Sequence, residues 1–193
     1  MTDLYKTKYL DFKSAKSPSG HEWYYVKRAN DKTNSDSAVA ITVLVEKSNG
    51  YNFLLLKTKR PPIYSENKAK YCVECPAGLV ADENINETLI ECIKKELKEE
   101  TGYIADNIFI ELNNSSTSAG LSSETLTFAT AIIKNDKPIS KPVDDGGIIV
   151  KRFFVSADNI YSYLKSVNTK EISISSAAIC GIFYALMRIN KLK

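Results

Sequence analysis

One stretch constrains this chain more than any other: GLVADENINETLIECIKKELKEETGY, running from Gly78 to Tyr103. Leu89, Ile90, Ile93 and Leu97 recur at helical spacing, which predicts a helix that begins shortly after Gly78 and turns one apolar face to a core. Glu91, Glu96, Glu99 and Glu100 lie on the same helix. Residues three and four apart share a face, so Glu96, Glu99 and Glu100 fall on one strip, with Glu96 and Glu100 a turn apart. Like charges at that spacing destabilise a bare helix. Such runs are most often solvated faces. The alternative is a cradle for a cation, and a hard divalent ion, Mg²⁺ or Mn²⁺, suits carboxylate donors. Gly102 fits a C-terminal cap.

The rest of the chain supplies strands for that helix to cover. Strand-like runs span residues 39–46 and 53–58, joined by the turn Ser48-Asn49-Gly50. Arg60-Pro61-Pro62 stops the second, because proline offers no ladder donor. A strand at 71–75 leads through Pro76-Ala77-Gly78 towards the helix, and further strands are expected at 108–112, 125–133 and 148–155. Helices at 157–167 and 176–189 close the pattern. Upstream, runs at 4–12 and 22–28 flank the turn Ser17-Pro18-Ser19-Gly20 as a β-hairpin would, followed by a polar linker at 30–37. The expected class is α/β, a mixed sheet with helices on both faces, plus an N-terminal β-hairpin appendage.

Composition excludes several functions. Hydrophobic residues make up 44% and charged residues 25%, ordinary values for a soluble globular chain. The net charge of +3 is spread without a basic block, which argues against a nucleic-acid partner. The longest apolar run, 177–187, is short of the ~20 residues a membrane span needs. The N-terminus lacks the apolar core of a signal peptide. The expected compartment is cytoplasmic, with the nucleus as an alternative. Cys72 and Cys75 form a Cys-x-x-Cys, but strand positions three apart face opposite ways, and His21 is the only histidine. Two small core residues are the better reading.

The string Lys95-Glu96-Leu97-Lys98-Glu99-Glu100-Thr101-Gly102-Tyr103, behind Gly78 and Glu87, resembles the Nudix box. That pattern is Gly, five residues, Glu, seven residues, then Arg-Glu-hydrophobic-any-Glu-Glu-any-Gly-hydrophobic. Two positions depart from it: eight residues separate Gly78 from Glu87, and Lys95 replaces the arginine. Lysine keeps the charge but loses the planar fork, so a pairing with Glu87 becomes a point contact. The resemblance implies an α/β/α sandwich over residues 37–193, with residues 1–36 as the appendage. It also implies Mg²⁺, with Mn²⁺ as a substitute, held by Glu96, Glu99, Glu100 and the carbonyl of Ala77.

Beyond the box, Arg60-Pro61-Pro62, Glu74-Cys75-Pro76-Ala77-Gly78-Leu79, Trp23 with Val26-Lys27-Arg28, and Ser118-Ala119-Gly120-Leu121-Ser122-Ser123-Glu124 resemble the ADP-sugar (ADP-ribose) pyrophosphatases. This implies a Mg²⁺-dependent hydrolase that cuts an ADP-sugar into AMP and a sugar phosphate. Trp23 would stack on adenine, Arg28 and Arg60 would clamp phosphate, and Glu74 would accept from a ribose hydroxyl or support a neighbouring group. Gly120 and Leu121 would border the terminal ribose. Relatives of this type form homodimers through an exchanged N-terminal hairpin. They also place a glutamate base where this chain has Ile148. Asp144, Asp145, Glu124 or a box residue such as Glu99 is the candidate substitute. The rival readings are a Nudix hydrolase for another nucleoside diphosphate derivative, and a binder that has lost turnover.

Overall fold

The first strands form a sheet of their own. β1 (Thr2–Lys6), β2 (Leu10–Lys16) and β3 (Glu22–Arg28) pair antiparallel in that order. The expected two-stranded hairpin is therefore three-stranded. The run at 4–12 breaks at Thr7, whose hydroxyl accepts the Leu10 N–H at 2.8 Å and the Tyr9 N–H at 3.2 Å, so a local turn outcompetes the ladder. The computed structural model describes all residues except 30–36, 83, 136, 144, 168 and 193. The expected linker thus lies outside the described residues except for Ser37, and so do the boundary residue 36 and the candidate base Asp144.

The main sheet is built on β4 (Ser37–Lys47) and β5 (Gly50–Thr58), a hairpin closed at Lys47 and Gly50. After β5 comes α1 (Pro61–Asn67), then β6 (Tyr71–Glu74), β7 (Ala77–Leu79), α2 (Leu89–Thr101), β8 (Asn107–Ser116) and β9 (Thr125–Ile133). β10 (Ile149–Ser156), α3 (Ile160–Val167), β11 (Ile172–Ile174) and α4 (Ser176–Arg188) complete the chain. The order is β11-β6-β5-β4-β9-β8, with β10 on β5 and β7 on β4. β4 runs parallel to β9 and β11 parallel to β6, while the other pairs are antiparallel, so the sheet is mixed as expected.

Helices cover both faces. Val39, Ile41, Val43 and Val45 of β4 join Cys92, Ile93 and Leu97 of α2 in one core cluster. Leu44, with Phe53 and Leu55 of β5, joins Ile160 of α3 and Ala178, Ile182 and Ala185 of α4 in another. β4 is buried on both sides, which is why it reads as a nearly continuous apolar run. Cys72 and Cys75 are both buried, and Cys75 belongs to the α3–α4 side. Among the described residues no helix is long and apolar enough to cross a membrane.

Three short elements were not expected. Pro61-Pro62 stops β5, but it also opens α1, where a proline in the first turn loses no intrahelical bond. β7 and β11 span only Ala77–Leu79 and Ile172–Ile174, too short for a periodic signal.

Candidate active site

α2 starts later than the sequence reading had it, at Leu89. Thr88 caps it: its hydroxyl accepts the Glu91 N–H at 3.3 Å, and the Glu91 carboxylate accepts the Thr88 N–H at 2.8 Å. Glu91 is thereby a capping residue and not part of the acidic strip. Ile90 is also off the apolar stripe, at 38% exposed, and Cys92 takes its place in the core. The stripe runs through Leu89, Cys92, Ile93 and Leu97, and Ile90, though three residues before Ile93, falls at its solvent edge. At the far end Gly102 adopts φ +79° and caps the helix, its N–H reaching the Lys98 carbonyl at 2.8 Å.

The strip meets β7. The Glu100 carboxylate accepts the Ala77 N–H at 3.0 Å. Glu96 lies flat against Gly78, where a Cβ would stand 2.1 Å from its carboxyl carbon. Only a residue without a side chain lets the helix carboxylate approach this floor. Burial raises the pKa of both groups to about 7; Lys95 opposes the rise at Glu96 while Glu99 and Glu87 add to it, and at Glu100 the Ala77 N–H opposes the rise while Glu96 adds to it. Two half-buried carboxylates with too little positive charge beside them form a donor set that fits a hard divalent cation.

Glu99 stands on the neighbouring flank, beside Lys94, Lys95 and Lys98. Its carboxylate makes no hydrogen bond or ion pair among the described residues. Among those residues, no three acidic, histidine or cysteine side chains already stand close enough together to hold an ion. Glu99 would have to swing towards Glu96 and Glu100 to complete a ligand set with the Ala77 carbonyl. The pairing expected of Lys95 is present, its ammonium 3.0 Å from Glu87 and 3.7 Å from Glu96. Burial works against the Lys95 charge, but Glu87 and then Glu96 outweigh it and the pKa is raised. Glu87 also accepts the N–H of Ala81 at 3.2 Å, pinning the loop before the helix.

Beside the strip, Arg60 donates through Nε to Glu74 at 2.9 Å, and Thr58 donates to the same oxygen at 2.8 Å. Glu74 thus fixes Arg60, and the guanidinium charge acts back on Glu100. Arg152 of β10 donates through Nε to the Glu100 carbonyl, a contact the sequence reading missed. A single arginine among strand residues carries no local signal of such a distant partner.

Trp23, Arg28, Gly120, Leu121 and Glu124 form a second cluster. Trp23 Nε1 donates to the Gly120 carbonyl at 2.9 Å, leaving the indole 55% exposed. The Val26 N–H reaches the Leu121 carbonyl at 2.8 Å, and Arg28 pairs with Glu124. The strand order puts Thr125 beside Ser37 of β4, and Ser37 in turn bonds Val80 just past β7. The two clusters therefore sit at one end of the sheet, beside strands β9 and β7 that lie two strand spacings, roughly 10 Å, apart. Among the described residues the Glu124 carboxylate pairs with Arg28. Ile148 is 38% exposed, and Asp145 accepts the N–H groups of Gly147 at 3.1 Å and Ile149 at 2.6 Å, so it staples its own loop.

No family model matches the chain. An uncharacterized Nudix hydrolase of Schizosaccharomyces pombe is 30% identical over 159 residues, covering 79% of this chain and 71% of that protein. A Caenorhabditis elegans protein assigned by name to the nudix hydrolases is 26% identical over 188 residues, covering 93% and 80%. A crystal structure of an ADP compounds hydrolase superposes with a TM-score of 0.62 at 14% identity, covering 99% of this chain and 94% of that one, a likeness of fold.

Proposed function

The chain belongs to the Nudix hydrolase family, and on that premise we propose that it hydrolyses the diphosphate of ADP-ribose or a related ADP-sugar. The products are AMP and a sugar phosphate, ribose 5-phosphate in the first case, and the cofactor is Mg²⁺ with Mn²⁺ as a substitute. The observation that carries this reading is the meeting of Glu96 and Glu100 with Ala77 and Gly78 beside Arg60. Glu96, Glu99, Glu100 and the Ala77 carbonyl would hold a divalent ion, which would supply charge neutralisation at the diphosphate.

The protein's own groups do the rest. Arg60, held at Nε by Glu74, keeps its terminal N–H groups for a phosphate oxygen. Arg28, set by Glu124, supplies a second clamp. Trp23, fixed through its indole N–H, offers a ring face to adenine. Gly120 and Leu121 border the sugar. Glu124 was also a candidate base, but its pairing with Arg28 favours a positioning role. Glu99, with no partner among the described residues, accepts the proton of the attacking water, the task Ile148 cannot perform.

Residues 1–36 then serve as a dimerisation and adenine-contact appendage to a catalytic domain at 37–193. Tyr5, Tyr9, Phe12 and Tyr24 of the N-terminal sheet are exposed, and a second copy of the chain would cover them. The four cysteines are free thiols, which fits a reducing compartment, the cytoplasm or nucleus.

Incubation with Mg²⁺ and a nucleotide-sugar panel, with AMP as the readout, tests the activity. Strong ADP-ribose turnover is expected, and turnover of another member alone would reassign the substrate. Ile148 favours one rival, a nucleotide binder without turnover, and binding with no product from any panel member would establish it. Light scattering at the mass of one chain would remove the homodimer.

A further inference from the structure

We propose that the lysine-lined cleft outside α2 is a seat for a phosphate-like dianion, opened when Glu99 turns away from it towards Glu96 and Glu100. The turn of Glu99 rests on the reading that these three carboxylates hold a divalent ion, and the seat goes beyond that reading.

The cleft, about 510 Å³, is lined by Lys94, Lys95, Lys98, Glu99, Ser140 and Lys141. Two elements build it. Lys94 and Lys98 stand one turn apart on the exposed side of α2, a like-charged pair that destabilises a bare helix just as the acidic strip does. Lys141 comes from the loop at 138–143, which three backbone bonds fasten to the end of the helix. The N–H groups of Ile139 and Ser140 reach the Gly102 carbonyl at 2.8 and 3.3 Å, and that of Val143 reaches the Glu99 carbonyl at 2.8 Å. The loop lies so close that a Cβ on Gly102 would stand 2.2 Å from the Ser140 carbonyl oxygen. Lys141 is thus carried on a fixed wall.

Lys95 is taken by Glu87 and Glu96, and the charge of Lys94 also reaches Glu91. The ammonium groups of Lys94, Lys98 and Lys141 have no ion pair or hydrogen bond among the described residues. Glu99, half-buried, is the one carboxylate among the described residues that line the cleft. While it stays there it offsets one lysine charge and repels any other anion. Turned inward to the strip, it leaves three ammoniums around a space of small-molecule size. No aromatic ring is among the described lining residues, so a base has nothing to stack on. Lysines attract phosphate as point charges, and a compact dianion matches several of them better than a single carboxylate does. Because one side chain serves both places, the dianion and the divalent ion should tighten each other's binding by the same factor.

Calorimetry of inorganic phosphate binding to the metal-free protein tests the seat. Glu99→Gln should bind phosphate about fivefold more tightly than wild type, and Lys98→Ala/Lys141→Ala at least about tenfold more weakly. Mg²⁺ should tighten phosphate binding to the wild type by about the same fivefold and leave that of Glu99→Gln unchanged. No phosphate binding by Glu99→Gln, or binding that survives loss of both lysines, would overturn the seat. An affinity that Glu99→Gln does not alter would overturn the part given to Glu99. Uptake of Mg²⁺ without effect on phosphate would overturn the turn of Glu99 while leaving metal binding standing. No uptake of Mg²⁺ at all would overturn the metal reading and the turn with it, while the lysine variants still decide the seat.

Discussion

Gly78→Ala isolates the contact on which the site depends. The added methyl would stand 2.1 Å from the Glu96 carboxyl carbon, 2.3 Å from Oε1 and 2.4 Å from Cγ. Ordinary contact between such atoms begins near ~3.5 Å, so the carboxyl must retreat by more than about 1 Å. Glu96 ends a flexible side chain and Gly78 is not among the glycines at positive φ, so the fold absorbs the change at a cost of roughly 1 kcal/mol or less. Function does not absorb it. A displacement of that size at a reacting centre typically costs about 10²-fold in rate. The assay is kcat for AMP release against Mg²⁺ concentration, with the melting temperature as a control on folding. The expected outcome is a fall in kcat of about 10²-fold and a higher half-saturating Mg²⁺ concentration, with the melting temperature nearly unchanged. Shortening the displaced side chain in Gly78→Ala/Glu96→Asp should recover part of the loss. Wild-type kcat and Mg²⁺ dependence in Gly78→Ala would show that Glu96 does not act from its position against Gly78.

Three further outcomes follow from the same geometry. Glu100→Gln keeps an acceptor for the Ala77 N–H but removes the charge, so it should fold normally and lose about 10²–10³-fold in kcat; activity near wild type would remove Glu100 from the ligand set. In the metal-free protein Glu96 and Glu100 bind protons up to about pH 7 that the unfolded chain, with carboxyls near 4.5, has already released. The stability they confer is full below pH 4.5 and lost as pH rises through 7, on the order of 1 kcal/mol per group after solvent screening. Thermal melts in chelator should therefore fall over that window and recover with Mg²⁺, and a rising melting temperature would contradict the burial. Trp23→Ala should raise KM by about tenfold with little change in kcat, because stacking is shared by ground and transition states; an unchanged KM would rule out the stack.

Features with a local period or a local chemical partner were legible in the sequence. The α2 stripe at Leu89, Ile93 and Leu97 follows from 3.6-residue spacing, the Gly102 cap from its backbone freedom, and the Lys95–Glu87 pair from the resemblance to the Nudix box. Where two local signals competed, the reading failed. The polar loop before Thr88 delayed the helix, a threonine hydroxyl broke the first N-terminal strand, and Pro61-Pro62 served as a helix start as well as a strand stop. Contacts between residues far apart in the chain were beyond any local signal. The indole of Trp23 on Gly120 and the guanidinium of Arg152 on Glu100 depend on how strands are ordered, which side-chain spacing alone does not encode. The placement of Glu124 with Arg28, at a distance from the strip, belongs to the same class.

One of the two shortest strands of the main sheet, β7, has a consequence out of proportion to its length. β7 is laced to β4 at Ala38, Val39 and Ala40, the midline of the molecule and almost sealed from water. Its ladder amide at Gly78 should exchange with deuterium more slowly than the Ala77 amide, which is held only by the Glu100 carboxylate. The last turn of α2 can fray and reform above it many times, releasing Ala77 but not the pairing with β4. Thermal agitation should then dim the chemistry reversibly, long before any loss of the native state, because the anvil outlasts the hammer.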